Sequence, residues 1–170
     1  MQDNNKEYFF SCTHKEIASL IKKEKRPRCV GMMFDGTRRI LKLNPKHHKD
    51  AWLYEEKHIR NMMRQAMKAA GMLCEMGVST IIGPLASKGN LMREGFMPKG
   101  LELLLKPLLD KHSQAIIKKH QIAISFYGQL KYIQSLPQSK HIQEYLKAIT
   151  RQNPKKPQHR IALGLGFCTR

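Results

Sequence analysis

The sequence predicts an α/β fold, with a parallel β-sheet flanked by helices on both of its faces. Two patterns carry this prediction. Short, continuous apolar runs of the kind found in strands buried on both faces recur along the chain, and segments with helical spacing of their apolar residues separate these runs. The chain has 170 residues, of which 41% are hydrophobic, so residues 1–170 are expected to form one domain with its own core.

The apolar runs give the expected strands directly. Four strands are predicted, over residues 29–34, 79–82, 121–126 and 161–167. The second strand is expected to run into Gly83-Pro84 and then into a flexible loop over residues 87–95.

Helix signals fill the intervals between the strands. Thr13 and Glu16 form a capping box ahead of a short apolar stretch, which predicts a helix before the first strand. Residues 54–76 keep helical spacing of their apolar side chains, and Gly77 is expected to end this long helix.

Two further helical segments follow the second strand. Pro98 suits the first turn of a helix, which Pro107 is expected to kink or split. Residues 139–150 are predicted to form the last helix of the chain.

The charge balance favours an anionic partner. There are 31 Lys and Arg residues against 13 Asp and Glu residues, which gives a formal net charge of +18. Nucleic acid, an anionic membrane surface and a diphosphate-bearing substrate all fit this charge. The basic runs 22–28 and 155–160 contain no aromatic residue, so we expect solvated surfaces, no specific nucleic acid and at most peripheral membrane contact.

The cysteines and the amino terminus point to a cytoplasmic protein. No CxxC pair is present, so the four cysteines are expected to be free, mostly buried thiols of a reducing compartment. They are Cys12, Cys29, Cys74 and Cys168. The first residues are polar, and the best apolar stretch is too short to cross a bilayer.

A basic turn follows the first predicted strand. It consists of Asp35, Gly36, Thr37, Arg38 and Arg39. Ligands of open α/β sheets bind at the carboxyl ends of strands, and paired guanidinium groups bind phosphate oxygens in a bidentate way. From these residues alone, an anion site and a basic surface turn remain equally good interpretations.

Two other loops are expected at the same edge of the sheet. The first carries Ser87, Asn90 and Arg93, and the second begins at Tyr127 after the third strand. As isolated residues, Tyr127 could be a packing aromatic or a site hydroxyl.

The ordered set of motifs resembles the cis-prenyltransferase (undecaprenyl diphosphate synthase-like) superfamily. The strand followed by residues 34–39, the spacing of Ser87, Asn90 and Arg93, and the stretch 126–128 follow the family's order. Phe-Asp-Gly-Thr-Arg-Arg and Phe-Tyr-Gly are most similar to its tuberculosinyl adenosine transferase and diterpene synthase branch. The resemblance covers about residues 28–167.

The chain also departs from the family. Thr37 stands where chain-elongating synthases have Asn, and Gly89-Asn90-Leu91 replaces their Glu-Asn-Trp. The family's Arg-rich segment and its magnesium-binding Glu are expected after residue 170, so the C-terminal part of the fold is expected to be missing. The branch's tyrosine at the start of the long helix has no certain counterpart, and His58 or Tyr54 is a candidate for it.

The resemblance implies an enzyme that ionises an allylic prenyl diphosphate, of C20 length in this branch. The enzyme would release pyrophosphate and pass the prenyl group to water or to a nucleoside such as adenosine. In this reading Asp35 is the catalytic carboxylate and a Mg²⁺ ligand, and residues 36–39 bind the diphosphate. Ser87, Asn90 and Arg93 form the second loop of the site, while Tyr127 and His58 are candidates for a site hydroxyl or base.

Two other interpretations of the function remain open. One alternative is a cis-polyprenyl diphosphate synthase that uses isopentenyl diphosphate, and another is a non-catalytic or truncated binding module. The prenyl tail needs an apolar tunnel that Met62, Met63 and residues 101–105 could line, although ordinary core packing explains them as well. The family also implies a homodimer for the full-length form.

Overall fold

A computed structural model describes residues 11–20, 27–33, 56–92, 99–135 and 139–167. The turn of residues 35–39 and Arg93 lie outside these described ranges, as do Tyr54 and Cys168. Their predicted roles therefore stay predictions.

Four parallel strands form one sheet, which confirms the predicted fold class. They are β1 (Cys29–Gly31), β2 (Thr80–Ser87), β3 (Ile122–Gly128) and β4 (His159–Phe167). Their spatial order is β1-β2-β4-β3, and every neighbouring pair is parallel.

Most of the described helices occur where helices were predicted, but the short helices over residues 88–91 and 130–135 lie in segments that were expected to be loops. The described helices are α1 (His14–Leu20), α2 (Glu56–Glu75), α3 (Lys88–Leu91), α4 (Lys99–Leu105), α5 (Lys111–Lys119), α6 (Leu130–Ser135) and α7 (Ser139–Arg151). A 3₁₀ turn over Lys106–Leu109 separates α4 from α5, so Pro107 splits the helix as expected.

The predicted helix ends are also present. The Thr13 amide N–H donates to the Glu16 carboxylate at 2.7 Å, and the Glu16 amide N–H donates to the Thr13 hydroxyl at 3.3 Å, which is the reciprocal capping box. Gly77 follows α2 with a φ of +88°, a conformation that glycine adopts without strain.

Strand β2 is longer than predicted. It continues through Pro84 to Ser87, and α3 begins directly after it where a flexible loop was expected. Ile82 accepts a hydrogen bond from the Met32 amide at 2.8 Å, so even-numbered residues of β2 direct their backbone groups toward β1. The next bond of that ladder would need an N–H at Pro84, which proline lacks. This explains why β1 ends before β2 does, and why proline is tolerated inside the sheet.

Alternation along the strands gives the sheet two different faces. On the helix-packed face, Ile81, Ile124, Ile161 and Leu165 are buried against the helices. Met63, Met67, Leu101 and Leu105 lie in the same continuous core. Packing in the core therefore accounts for these four side chains.

The second face, which we call the open face, is largely exposed. Its strand residues are Cys29, Gly31, Thr80, Ile82, Pro84, Ala123, Ser125, Tyr127, Arg160, Ala162 and Gly164. Six of the eleven are exposed, and buried Gly164 lies beneath the Tyr127 ring. Within the described residues, helices therefore pack on one face of the sheet, where both faces were expected to carry them.

Two of the remaining sequence expectations concern the cysteines and membrane spans. Cys74 is buried, whereas Cys29 is exposed on the open face and Cys12 is half-buried, so the expectation of mostly buried thiols was wrong for Cys29. None of the described helices combines the length and the apolar character that crossing a bilayer requires.

Candidate active site at the carboxyl edge of the sheet

Ser87 and Asn90 lie together at the carboxyl end of β2. The Ser87 hydroxyl accepts a hydrogen bond from the Asn90 amide N–H at 3.2 Å and so caps the short helix α3. The spacing that suggested a site loop is therefore also the spacing of a helix N-cap.

Tyr127 lies at the end of β3, and its ring extends across the neighbouring strand. A Cβ atom added to Gly164 would lie 2.8 Å from both the Cζ and the Oη of Tyr127. Gly164 thus leaves the space that the phenol occupies. Tyr127 is 39% exposed, so part of this residue is accessible on the open face.

At Gly128, the end of β3 lies close to the backbone of β4 at Leu165. The φ of Gly128 is +102°, and a Cβ atom there would lie 2.2 Å from the Leu165 carbonyl oxygen. The same oxygen accepts a hydrogen bond from the Gln129 amide at 2.8 Å. Only glycine fits at this position, because both the backbone angle and the available space exclude a side chain.

Gly166 is the point where the loops after β2 and β3 meet. An added Cβ atom would lie 3.1 Å from Cβ of Gln129 and 3.4 Å from Cδ1 of Leu91. The loop with Ser87 and the loop with Tyr127 therefore pack together at one edge of the sheet. The sequence predicted both loops at this edge but did not predict that they meet at Gly166, because this depends on which residues of β3 and β4 pair.

The described part of the chain after β1 ends near the same edge. Met32 makes the last described hydrogen bond between β1 and β2, and Met33 is the last described residue before the turn of residues 35–39.

His58 is placed differently from Tyr127. It lies half-buried in the first turn of α2, a helix that packs against α4 and α5. Of the two candidates for a site hydroxyl or base, Tyr127 therefore belongs to the open face of the sheet, whereas His58 belongs to a helix.

Known proteins resemble this chain both in sequence and in fold. No protein-family profile matches the chain. Tuberculosinyl adenosine transferase from Mycobacterium tuberculosis is 26% identical over 143 residues, which cover 82% of this chain and 46% of that protein. The chain thus spans about half the length of this curated relative.

Two solved structures share the fold. Lavandulyl diphosphate synthase from Lavandula x intermedia, in complex with dimethylallyl diphosphate, matches 85% of this chain and 57% of its own, with a TM-score of 0.62 and 15% identity. A probable undecaprenyl diphosphate synthase from Campylobacter jejuni matches 82% of this chain and 54% of its own, with a TM-score of 0.50 and 14% identity. This chain has the cis-prenyltransferase fold.

A cleft of about 260 Å³ lies elsewhere on this cis-prenyltransferase fold, between α2 and the 3₁₀ turn. Its charged groups neutralise one another. Glu56 pairs with Arg60 and with Lys106 at 3.4 Å, and hydrogen bonds from these two cations lower the pKa of the Glu56 carboxyl. Asp110 pairs with Arg64 at 3.2 Å. Because each carboxylate here has a cationic partner, we assign these groups to stability and keep the carboxyl edge as the candidate site.

The described residues do not form a magnesium site by themselves. No cluster of three His, Cys, Asp or Glu side chains suited to a metal ion occurs among them. At the carboxyl edge, the described residues from β2 to α3 and from β3 to α6 contain no carboxylate. Mg²⁺ binds through carboxylate and phosphate oxygens, so the described residues at this edge supply no carboxylate ligand for it, and Asp35, the predicted ligand, lies outside them.

Proposed function

We propose that the chain catalyses prenyl transfer from an allylic diphosphate, with a C20 substrate and with water or a nucleoside such as adenosine as the acceptor. The packing of the Ser87 loop against the Tyr127 loop at the carboxyl edge carries this proposal. The sequence likeness to tuberculosinyl adenosine transferase supports it, because the matched region includes most of the chain.

In the proposed reaction the allylic C–O bond breaks and pyrophosphate leaves with the bonding electrons. Negative charge develops on the leaving group, so positioned cations accelerate this step. We assign this role to Arg38 and Arg39, with the backbone N–H groups of Gly36 and Thr37. Arginine suits it because guanidinium groups bind phosphate oxygens in pairs.

The acceptor then captures the allylic cation and loses a proton. We assign the orientation of the acceptor to Tyr127, because this residue is partly exposed and a phenol oxygen can accept a hydrogen bond from water or from a nucleoside amine. Asp35 is proposed as the carboxylate that assists catalysis and, with the diphosphate, holds Mg²⁺. We further propose a homodimer and a cytoplasmic location for the protein.

The test is release of pyrophosphate from a C20 allylic diphosphate in Mg²⁺ buffer, with and without adenosine. Asp35→Asn should lower the rate by about 100-fold or more, since it removes a positioned catalytic carboxylate. The double change Arg38→Gln/Arg39→Gln should cost a similar factor. Glu144→Gln is the matched control, because it makes the same carboxylate-to-amide change on an exposed position of α7 and should keep the original rate.

Tyr127→Phe separates capture of the cation from ionisation. We expect it to change the ratio of adenosine adduct to prenyl alcohol more than it changes total pyrophosphate release. Absence of pyrophosphate release from the unaltered protein refutes the proposal. Binding of the substrate without release identifies a binding module, and consumption of isopentenyl diphosphate identifies chain elongation.

A further inference from the structure

The phenol of Tyr127 lies flat on the sheet above Gly164. The three atoms nearest to a Cβ atom added at Gly164 all belong to this side chain, with Cζ and Oη at 2.8 Å and Cε2 at 3.2 Å. A point in the plane of the ring, equally far from Cζ and Oη at that distance, would lie closer to one Cε carbon than to either of them. The Cβ vector therefore meets the face of the phenol, so the ring is roughly parallel to the sheet.

The register of the strands directs this phenol across β4. Tyr127 pairs with Gly164, and Gly164 pairs on its other side with Pro84 of β2. Because the tip of the ring lies over Gly164, its hydroxyl group points from β3 toward β2, the strand that ends at Ser87. The phenol is thereby directed toward the other described loop of the candidate site.

The sheet itself does not require glycine at position 164. Gly164 is not among the described glycines with a positive φ, so its backbone conformation is open to alanine. Ala162, the preceding residue of β4 on the open face, carries a side chain and pairs with the small Ser125. The nearest obstacle to a side chain at position 164 is the Tyr127 ring, which can rotate, whereas backbone atoms exclude a side chain at Gly128.

We propose that Gly164 is a positioning residue that sets which acceptor the site uses. This inference rests on the proposed function, in which the Tyr127 phenol orients the acceptor. The missing side chain at Gly164 lets the phenol oxygen lie against the sheet, and any larger residue there lifts it. The size of residue 164 therefore determines the place from which the phenol can hold an acceptor.

The displacement caused by alanine is large enough to matter for one class of acceptor. Ordinary contact between carbon atoms is about 3.5–4.0 Å, so a contact of 2.8 Å is relieved when the phenol moves by about 0.7–1.2 Å. A nucleoside has to be held in one pose for its amine to meet the allylic cation, and a misplacement of about 1 Å can slow such a step about 100-fold. Water is small and abundant, and it reaches the cation in many orientations. Glycine at position 164 therefore favours transfer to a nucleoside over release of the prenyl alcohol.

Gly164→Ala tests this inference in the full chain, with a C20 allylic diphosphate, adenosine and Mg²⁺. We expect the ratio of adenosine adduct to prenyl alcohol to fall about 10- to 100-fold, because the phenol no longer meets the nucleoside in the productive pose. The KM for adenosine should rise. Total pyrophosphate release and the KM for the diphosphate should change much less, since ionisation is assigned to residues 36–39.

Two control variants and one measurement without substrate isolate the role of the phenol. Gly31→Ala makes the same change on the open face, where no described atom lies within 4 Å of the added Cβ, and should keep the original ratio. Tyr127→Phe/Gly164→Ala should match Tyr127→Phe alone, because the phenol oxygen is already absent. Nitration by tetranitromethane, mapped by peptide mass, should be faster at Tyr127 in Gly164→Ala and unchanged at Tyr145 of α7. Folding of each variant is checked by its thermal transition.

Several outcomes would overturn the role of Gly164. An unchanged product ratio or unchanged nitration of Tyr127 in Gly164→Ala would show that the phenol does not move or does not matter. A further loss in Tyr127→Phe/Gly164→Ala beyond Tyr127→Phe would show that residue 164 acts by another route, and an unfolded Gly164→Ala protein would make the glycine a requirement of folding.

Failure of this inference can be told apart from failure of the proposed function. If the unaltered protein releases pyrophosphate but forms only the prenyl alcohol in the presence of adenosine, the role of Gly164 in acceptor choice is refuted and prenyl diphosphate ionisation stands. If it releases no pyrophosphate, the proposed function is refuted and this inference with it.

Discussion

Gly128→Ala tests the geometry of the candidate site most directly. Gly128 has a φ of +102°, and an alanine Cβ there would lie 2.2 Å from the Leu165 carbonyl oxygen. That atom belongs to the backbone of the adjacent strand, so no side-chain rotation can relieve the contact. The sheet itself has to open at the ends of β3 and β4.

The cost has two parts. An alanine held at this backbone angle is strained by about 1–3 kcal/mol. Moving the Leu165 oxygen away by about 1 Å also breaks its 2.8 Å hydrogen bond from Gln129, which contributes about 0.5–1.5 kcal/mol. We therefore expect a loss of about 2–4 kcal/mol in the free energy of unfolding, or about 5–15 °C in Tm for a domain of this size.

Urea unfolding followed by circular dichroism measures this loss, with unchanged m-values as the sign that the unfolded state is unaffected. Gly89→Ala is the matched control. Its Cβ would lie 3.9 Å from the Ser87 hydroxyl, and alanine is the better helix former, so the change should be neutral or stabilising. A loss below about 1 kcal/mol for Gly128→Ala would refute the close junction of β3 and β4.

Three further predictions follow from groups outside the site. Burial raises the pKa of the Cys74 thiol to about 11, so iodoacetamide at about pH 8 should alkylate exposed Cys29 and leave Cys74 unmodified, as peptide mass mapping would show. Burial lowers the pKa of the His120 ring, so the folded protein favours the neutral form. The free energy of unfolding should therefore decrease as the pH falls below about 6.5, where the unfolded chain binds the proton more readily. His120→Gln should flatten this pH dependence, measured as the midpoint of urea unfolding. Asp110 accepts a hydrogen bond from the Ser113 amide at 2.8 Å as the N-cap of α5, so Asp110→Ala should cost about 1–2 kcal/mol by urea unfolding while Asp110→Asn costs less.

The sequence was sufficient to predict the parallel sheet and most of the elements, although not α3 and α6. Runs such as residues 161–167 have no polar alternation, and they are separated by segments with helical spacing, which leaves few other arrangements. Local chemistry also fixed several boundaries. The capping box at Thr13 and Glu16, the helix end at Gly77 and the break at Pro107 each depend on residues near in sequence, so a single sequence reveals them.

Features that depend on pairing between distant residues were not predictable in this way. Proline is depleted in strands, so Pro84 suggested the end of β2. Its missing N–H removes the next hydrogen bond to β1, so β2 continues past Pro84 paired with β4 alone. Likewise, nothing near Gly164 in the sequence shows that a tyrosine ring from β3 lies over it. The exposure of one sheet face also follows from where the helices pack, which spacing along the chain does not determine.

One row of the sheet fixes the position of Tyr127 in the candidate site. Pro84, Gly164 and Tyr127 are in register across β2, β4 and β3. Pro84 ends the described ladder between β2 and β1, and Gly164 leaves the space that the phenol of Tyr127 occupies. A register shift of β3 against β4 would move the ring away from Gly164, so the pairing of these two strands, rather than the loop after β3, determines where the phenol lies.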